Sequence, residues 1–320
     1  MDKTQLIYIV FGMVIISALI FDLGLLSKKN HVVSFKSALI QTLFWVLLSF
    51  AFCGFIWVEN KDGNGQADAV AYVSAYLLEW SLSTDNIFVF IIIFSFFKVK
   101  ENNFSRVLLI GILMAIVLRV IFIAVGTTVV ARFGWVMYIF GAFLVYTGAK
   151  LFLQKKEAEF NPGQSKVFSF MKKYMRTTDE EPQGRFIIIK QKRAYFTRLA
   201  MVVVMLGLID LLFAIDSIPA VFSIIPDPSK KLLIYSSNIF AVLGLRSLFF
   251  LLKGAASKFD YLQQGIAVVL LFIGFKMLLE YFKFHIPVTI SLGVIVVCIT
   301  ISVVYSSYHK RKGVPEDVKN

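Results

Sequence analysis

The chain has 320 residues, of which 58% are hydrophobic and only 17% are charged. An ordinary soluble domain is about 45–50% apolar and about 25% charged, so this composition excludes that class and indicates a polytopic membrane protein. The formal net charge of +13 at pH 7 does not indicate nucleic-acid binding, because the cations concentrate in alternate loops between apolar runs. We therefore expect the lipid bilayer, and no nucleic acid, as a partner.

Apolar runs long enough to cross a bilayer recur nine times along the chain. A hydrocarbon core about 30 Å thick requires about 20 helical residues, each rising about 1.5 Å. The predicted spans are residues 5–26, 36–58, 70–97, 107–130, 135–153, 198–225, 232–252, 261–282 and 286–308. The predicted fold class is therefore an all-α polytopic membrane protein with about nine transmembrane helices.

The placement of positive charge predicts how these spans are oriented. One alternating set of loops, which includes residues 154–197, carries most of the lysines and arginines. The excess persists when this long loop is left out. Because cytoplasmic loops are enriched in Lys and Arg, the pattern predicts an amino terminus outside and a carboxyl terminus in the cytoplasm.

Two polar stretches interrupt apolar spans in a similar way, EWSLSTDNIF in the third span and DLLFAIDSIP in the sixth. Superimposing the stretches and the spans that follow them pairs Glu79 with Asp210, Asp85 with Asp216, Asn86 with Ser217, Arg119 with Arg246, and Lys150 with Lys276. Three successive spans thus recur as three, and an odd number of spans reverses the direction of the second set. This predicts a 3+3 inverted repeat of helices 3–5 and 6–8, a frequent construction in secondary transporters, whose substrate site lies near the midplane.

We predict a single transmembrane transporter domain over residues 1–320. Its parts are two N-terminal helices in 1–69, the first repeat in 70–153, a cytoplasmic basic loop in 154–197, the second repeat in 198–282, and the last helix with a cytoplasmic tail in 283–320. The basic loop contains a short amphipathic piece, VFSFMKKYMR, and a possible hairpin, RFIIIKQKRAYF. We favour a linker near anionic headgroups over a regulatory domain.

Four acids in the two polar stretches need a physical explanation. They are Glu79, Asp85, Asp210 and Asp216. A charge deep in a span costs at least about 2.5–3.5 kcal/mol, so such groups require a partner or a wet cavity. Arg119 and Arg246 can neutralise two of the acids, while Lys150 and Lys276 lie nearer helix ends as charge-balancing or gating residues. The surplus negative charge indicates a bound cation, with protonation as the competing remedy.

Oxygen-rich side chains narrow the choice of cation. Neither stretch contains His or Cys, so Mg²⁺, Ca²⁺ or Mn²⁺ is favoured over Zn²⁺ or Cu⁺. We hypothesise that Asp85 and Asp216 are metal ligands, with Glu79 and Asp210 as ligands or gates. In a competing layout, only one of these pairs binds metal at a time.

Geometry adds a further expectation about the two stretches. Acids six residues apart on a regular helix lie about 9 Å apart along the axis and point in different directions. The polar residues of SLSTDN and the ring of Pro219 are helix-interrupting, so they predict unwound segments that bring the acids together.

Several longer segments carry a specific resemblance. They are YLLEWSLSTDNIFVF, LRVIFI, YIFGAFLVYTGAKL, DLLFAIDSIPAVF, SNIFAVLGLRSLFFLL and LLFIGFKMLL. In this order, they resemble the TerC family of integral membrane proteins, and especially its Alx-like branch. The resemblance implies a multi-pass protein of the bacterial inner membrane, in the LysE-like transporter group, that exports manganese.

The resemblance also carries over individual residues. The family's acidic motifs correspond to Glu79, Asp85, Asn86, Asp210, Asp216 and Ser217, and Asp22 resembles a family acid that serves the exit path or the site. Other family members are associated with tellurite resistance or with loading metal onto exported enzymes, which implies secretion-associated partners as a further option.

These observations predict a secondary exporter of divalent metal, with Mn²⁺ as the transported substrate and no permanently bound cofactor. The alternatives are an exchanger of Ca²⁺ or another divalent cation for protons, or a membrane partner that delivers metal to exported proteins. An intramembrane metalloenzyme is disfavoured, because the sequence has no HExxH or GxSxG motif and no histidine near the acids. We therefore do not expect an enzyme.

Overall fold

The computed structural model describes residues 3–21, 33–59, 65–153, 162–178, 184–190, 193–253 and 262–312. The helices in these ranges are α1 Lys3–Phe21, α2 Phe35–Glu59, α3 Gly65–Phe96, α4 Glu101–Arg132, α5 Val136–Leu153, α6 Lys166–Tyr174, α7 Arg198–Ile224, α8 Lys231–Lys253, α9 Leu262–Leu279 and α10 Val288–Lys312. The strands β1 Ile187–Lys190 and β2 Arg193–Phe196 form an antiparallel hairpin. Single 3₁₀ turns lie at Pro162–Gln164 and Glu280–Phe282.

The long helices confirm the all-α polytopic class. Six described helices are long and apolar enough to cross a membrane: Phe35–Val58, Glu101–Arg132, Val136–Leu153, Arg198–Ile215, Lys231–Lys253 and Gln264–Phe282. The helices α1, α3 and α10 coincide with the other predicted spans. Nine crossings and their orientation stay a prediction.

The expectation of unwound segments is wrong. Helix α3 continues through SLSTDN, and α7 continues through Pro219. Hydroxyl groups in α3 bond within the helix, since Ser83 Oγ donates to Glu79 Oε1 at 3.4 Å and Ser74 Oγ donates to the Val70 carbonyl at 2.7 Å. Proline removes one amide donor from a helix, and the remaining bonds of α7 keep it helical.

Helix directions follow from contacts near the helix ends. The end of α3 lies beside the start of α4, where the rings of Phe94 and Phe104 are 4.6 Å apart. Helices α4 and α7 run in the same direction, because a Cβ on Gly111 would lie 3.1 Å from Leu206 Cβ and one on Gly126 would lie 2.9 Å from the Phe222 ring. Helix α3 is therefore antiparallel to both α4 and α7.

Helix α8 is largely enclosed by other helices, since 16 of its 23 residues are buried. It packs against α2, α3 and α4. At its start, Lys230 Nζ bonds Asp68 Oδ1 of α3 at 2.5 Å, and at its end Lys253 pairs with Glu101 of α4. Helix α8 is therefore parallel to α3 and antiparallel to α4.

Helices α5 and α9 approach each other closely through glycines. A Cβ on Gly148 would lie 2.9 Å from the Leu271 nitrogen and 3.0 Å from the Ala267 carbonyl oxygen. A Cβ on Gly274 would lie 2.8 Å from both the Val145 nitrogen and the Gly141 carbonyl oxygen. The two glycines thus make matching approaches to the backbone of the opposite helix.

We expect Gly148→Ala and Gly274→Ala each to lower the free energy of unfolding by about 1–3 kcal/mol, because the added methyl group meets backbone atoms that cannot move independently. Thermal unfolding of the purified chain in detergent measures the effect. The matched control is Gly293→Ala in α10, where a Cβ has no described atom within 4 Å and alanine improves helix propensity. Equal stability of all three variants would contradict the close approach.

The described parts of segment 154–197 contain regular secondary structure. The amphipathic piece forms α6, and the predicted hairpin is confirmed as β1–β2. Met171 of α6 is only 1% exposed, and the Phe168 ring lies 5.9 Å from that of Phe97. Arg106 of α4 donates to the Gly184 carbonyl at 3.0 Å, so this segment packs against the ends of the long helices.

Candidate functional site

A buried charge cluster, consisting of Glu79, Arg119, Asp210 and Asn238, joins α3, α4, α7 and α8. Arg119 Nε donates to Asp210 Oδ2 at 2.8 Å, and its Nη2 donates to Oδ1 of the same carboxylate at 3.1 Å. Arg119 Nη1 donates to Glu79 Oε1 and, at 3.2 Å, to Asn238 Oδ1. Each of the four side chains is 2% exposed or less. The guanidinium therefore bridges both halves of the predicted repeat.

The charge cluster lies deep within the helices. Glu79, Arg119 and Asp210 each have at least 12 helical residues on either side. At about 1.5 Å per residue, each is roughly 18 Å or more from either end of its helix. In helices that cross a hydrocarbon core about 30 Å thick, such residues lie near the midplane.

The charges within the cluster do not balance. Two carboxylates face one guanidinium, which gives a formal net charge of −1 when both acids are ionised. Glu79 Oε1 accepts bonds from Arg119 and from Ser83, whereas the buried Glu79 Oε2 has no hydrogen-bond partner in the described part of the chain. The cluster can therefore accept a further proton or cation.

Asn86 and Ser217 lie on the helix faces that carry the cluster acids. Each follows its acid by seven residues, which is about two helical turns, and both side chains are buried. Within the described residues, Ser217 Oγ has no hydrogen-bond partner. These two residues extend the polar faces of Glu79 and Asp210 along α3 and α7.

Three predicted site residues receive no side-chain description. Asp22 lies outside the described residues, as do the side chains of Asp85 and Asp216, although their backbones belong to α3 and α7. Each of these two backbones is six residues, or about 9 Å, beyond its cluster acid along the helix. Because α3 and α7 are antiparallel, the backbones of Asp85 and Asp216 lie on opposite sides of the cluster.

The remaining predicted charge-balancing residues have other contacts. Buried Arg246 donates through Nη2 to Ser105 Oγ at 2.7 Å. Buried Lys276 donates to the Ser223 carbonyl at 3.3 Å and to Ser291 Oγ at 3.2 Å. Lys150 is exposed on α5. The structure therefore brings Arg119 to the acids of the cluster.

The described part of the chain brings together no group of three or more His, Cys, Asp or Glu residues that could hold a metal ion. Its charge cluster supplies two carboxylates and the amide oxygen of Asn238. Carboxylate and amide oxygens are ligands that hard divalent cations accept. The cluster thus forms a partial set of oxygen ligands, with Arg119 bound to it.

Sequence reasoning missed Asn238. Its Nδ2 donates to the Ile234 carbonyl at 3.1 Å, which leaves Oδ1 to accept from Arg119. The signal was available in the sequence, because Ser236, Ser237 and Asn238 form a polar interruption in an otherwise apolar span.

Taken together, the fold and the charge cluster define a polytopic α-helical membrane protein with ionisable groups buried between its helices. The profile described as "Integral membrane protein TerC family" matches residues 64–313. The chain belongs to the TerC family.

Several curated proteins are similar over nearly their whole length. "Putative membrane-bound redox modulator Alx" of Salmonella typhi is 40% identical over 315 residues, which cover 96% of each chain. The protein of the same name from Escherichia coli K12 is 40% identical over 297 residues, 91% of each chain. An "Uncharacterized membrane protein STKORF319" of Myxococcus xanthus is 40% identical over 304 residues, 95% of this chain and 92% of its own. No solved structure matches.

Proposed function

We propose that this chain is a secondary transporter that exports a divalent metal ion, with Mn²⁺ as the first candidate, across the bacterial inner membrane. The observation that carries the proposal is the unequal charge of the buried cluster, in which Glu79 and Asp210 share the single guanidinium of Arg119. Surplus carboxylate in a dry interior favours the binding of a cation. The absence of His and Cys from both acidic stretches favours Mn²⁺, Mg²⁺ or Ca²⁺.

The order of the acids along α3 and α7 supports a path through the protein. On the predicted orientation, Asp85 lies on the cytoplasmic side of the charge cluster, and Asp216 lies on the outer side. An ion that leaves the cytoplasm would meet Asp85, then Glu79 with Asp210, and then Asp216. In this sequence of sites Glu79 and Asp210 form the one pair, and Asp85 and Asp216 act singly on either side of it, since their backbones lie about 18 Å apart along the helix axes.

Helix packing supports an inverted repeat as the framework for alternating access. Exchanging α3 with α7, and α4 with α8, converts the α3–α8 contact into the α4–α7 contact, and both pairs are parallel. Exchanging α5 with α9 in the same way converts the close approach of Gly148 to α9 into the close approach of Gly274 to α5. Rocking of one repeat against the other about a site between them is the motion expected of such a framework.

The name of the Alx relatives suggests a redox role as a second candidate. The sequence contains two cysteines, Cys53 and Cys298, which lie far apart in the chain and form no Cys-X-X-Cys pair. Both are free thiols, and Cys53 Sγ contacts the Ala69 carbonyl. Metal export accounts for the buried carboxylates, whereas dithiol exchange does not use them.

The proposal is tested with purified protein in liposomes and with cells. We expect a concentration gradient of Mn²⁺ across the liposome membrane to drive Mn²⁺ flux through wild-type protein. Asp216→Asn should reduce this flux at least about tenfold, because removing a charged ligand costs more than about 1.4 kcal/mol of binding free energy. Ca²⁺ and Mg²⁺ are assayed in parallel to identify the substrate, and a pH gradient identifies proton exchange. In cells, overexpression should lower manganese content, and deletion should raise it.

The matched control is Asp227→Asn, which changes an exposed aspartate in the loop between α7 and α8. This variant should transport at the wild-type rate. Absence of flux for all three metals, with cellular manganese unchanged by overexpression, would exclude export and favour the metal-delivery partner that the sequence left as an alternative.

A further inference from the structure

We propose that Arg119 is a tethered competitor of the transported ion. Its guanidinium holds Glu79 and Asp210 in the state described here, and it must leave these carboxylates before a divalent ion can bind both of them. The inference rests on the proposed export function and assigns a regulatory residue to the same site.

Occupancy of the same oxygen atoms is the first argument. Arg119 donates to both oxygens of Asp210, to Glu79 Oε1 and to Asn238 Oδ1. A hard divalent ion requires oxygen ligands at about 2.0–2.6 Å, in directions that the N–H groups now occupy. The guanidinium and the ion therefore cannot use the same oxygens at once.

Charge supplies the second argument. With Arg119 in place, the cluster has a formal charge of −1, and without it the two carboxylates have a charge of −2, which one divalent ion neutralises. Either carboxylate left without a counter-charge in a buried site is strongly unfavourable. Departure of the guanidinium and arrival of the ion are therefore coupled, and the returning guanidinium displaces the ion.

The test compares Mn²⁺ affinity and Mn²⁺ flux in the full-length chain. Calorimetric titration in detergent measures affinity, and liposome assays measure flux. If the guanidinium holds the acids for at least nine-tenths of the time, then Arg119→Gln binds Mn²⁺ about tenfold tighter or more, since the competent fraction scales the apparent dissociation constant. Export by this variant should fall at least about fivefold, because bound ion is no longer displaced.

Arg119→Lys provides a second variant that keeps the positive charge but loses the two-pronged contact with Asp210. Its Mn²⁺ affinity should lie between those of wild type and Arg119→Gln, and it decides the question if Arg119→Gln does not fold. The matched control is Arg106→Gln on the same helix, where the arginine contacts the Gly184 carbonyl and the Phe186 ring. Its affinity should equal that of wild type.

If both Arg119 variants bind Mn²⁺ no more tightly than wild type, and wild-type protein transports Mn²⁺, then the proposed competition between Arg119 and the ion is wrong and the export proposal stands. Wild-type protein that binds Mn²⁺ without transporting it, together with tighter binding by Arg119→Gln, would overturn export and retain the competition. The two proposals therefore fail through different observations.

Discussion

Asp210→Asn is expected to abolish divalent-metal export while the protein stays folded. In this variant the cluster loses its surplus charge, because Glu79 alone then balances Arg119. A divalent ion would have to displace the guanidinium from its one remaining carboxylate and would gain a single charged ligand. Loss of about 3 kcal/mol of binding corresponds to about a hundredfold reduction in affinity.

The measurement is initial-rate Mn²⁺ flux in liposomes, with thermal unfolding on the same samples. Glu79→Gln should give a similar loss, because Arg119 contacts the two acids from opposite halves of the chain. Asp68→Asn serves as the comparison, since this acid pairs with Lys230 near the start of α3, away from the cluster. Wild-type flux through Asp210→Asn would show that Asp210 has only a structural role.

Local patterns in the sequence predicted much of the fold. Every predicted span contains a described helix, because a long apolar run can satisfy its backbone in lipid only by forming one. The hairpin and the amphipathic helix in 154–197 also followed from short-range patterns. The same constraint explains the failed expectation of unwound segments, since an unwound stretch exposes backbone groups that the apolar surroundings cannot satisfy.

The site was only partly predictable. The repeat alignment paired Glu79 with Asp210 and Arg119 with Arg246, and the structure brings Glu79, Asp210 and Arg119 together. Spacing could not show that one arginine would serve both acids, because that depends on how α4 packs against α7, which also contacts α3. The polar interruption at Asn238 was visible in the sequence, but its partner was not, since the contact depends on the proximity of α8 to Arg119.

Arg119→Met is expected to lower the free energy of unfolding by about 3–5 kcal/mol in chelator-treated buffer, because it leaves two carboxylates buried without a counter-charge. Added Mn²⁺ should restore part of this loss by replacing the guanidinium. The measurement is thermal or SDS-induced unfolding in detergent, with and without metal. If this variant were as stable as wild type in chelator-treated buffer, the result would contradict the interpretation that Glu79 and Asp210 are both ionised.

The triple variant Glu79→Gln, Arg119→Met and Asp210→Asn separates stability from function. It removes all three charges together, and replacing a buried ionic group with neutral side chains of similar size is often neutral or stabilising, by up to about 4 kcal/mol. We therefore expect wild-type stability without Mn²⁺ flux and without stabilisation by Mn²⁺. Such a result would mean that the buried ions are not required for folding and serve the passage of a cation. Failure of the triple variant to recover stability would instead assign the ion cluster to the architecture of the helix bundle.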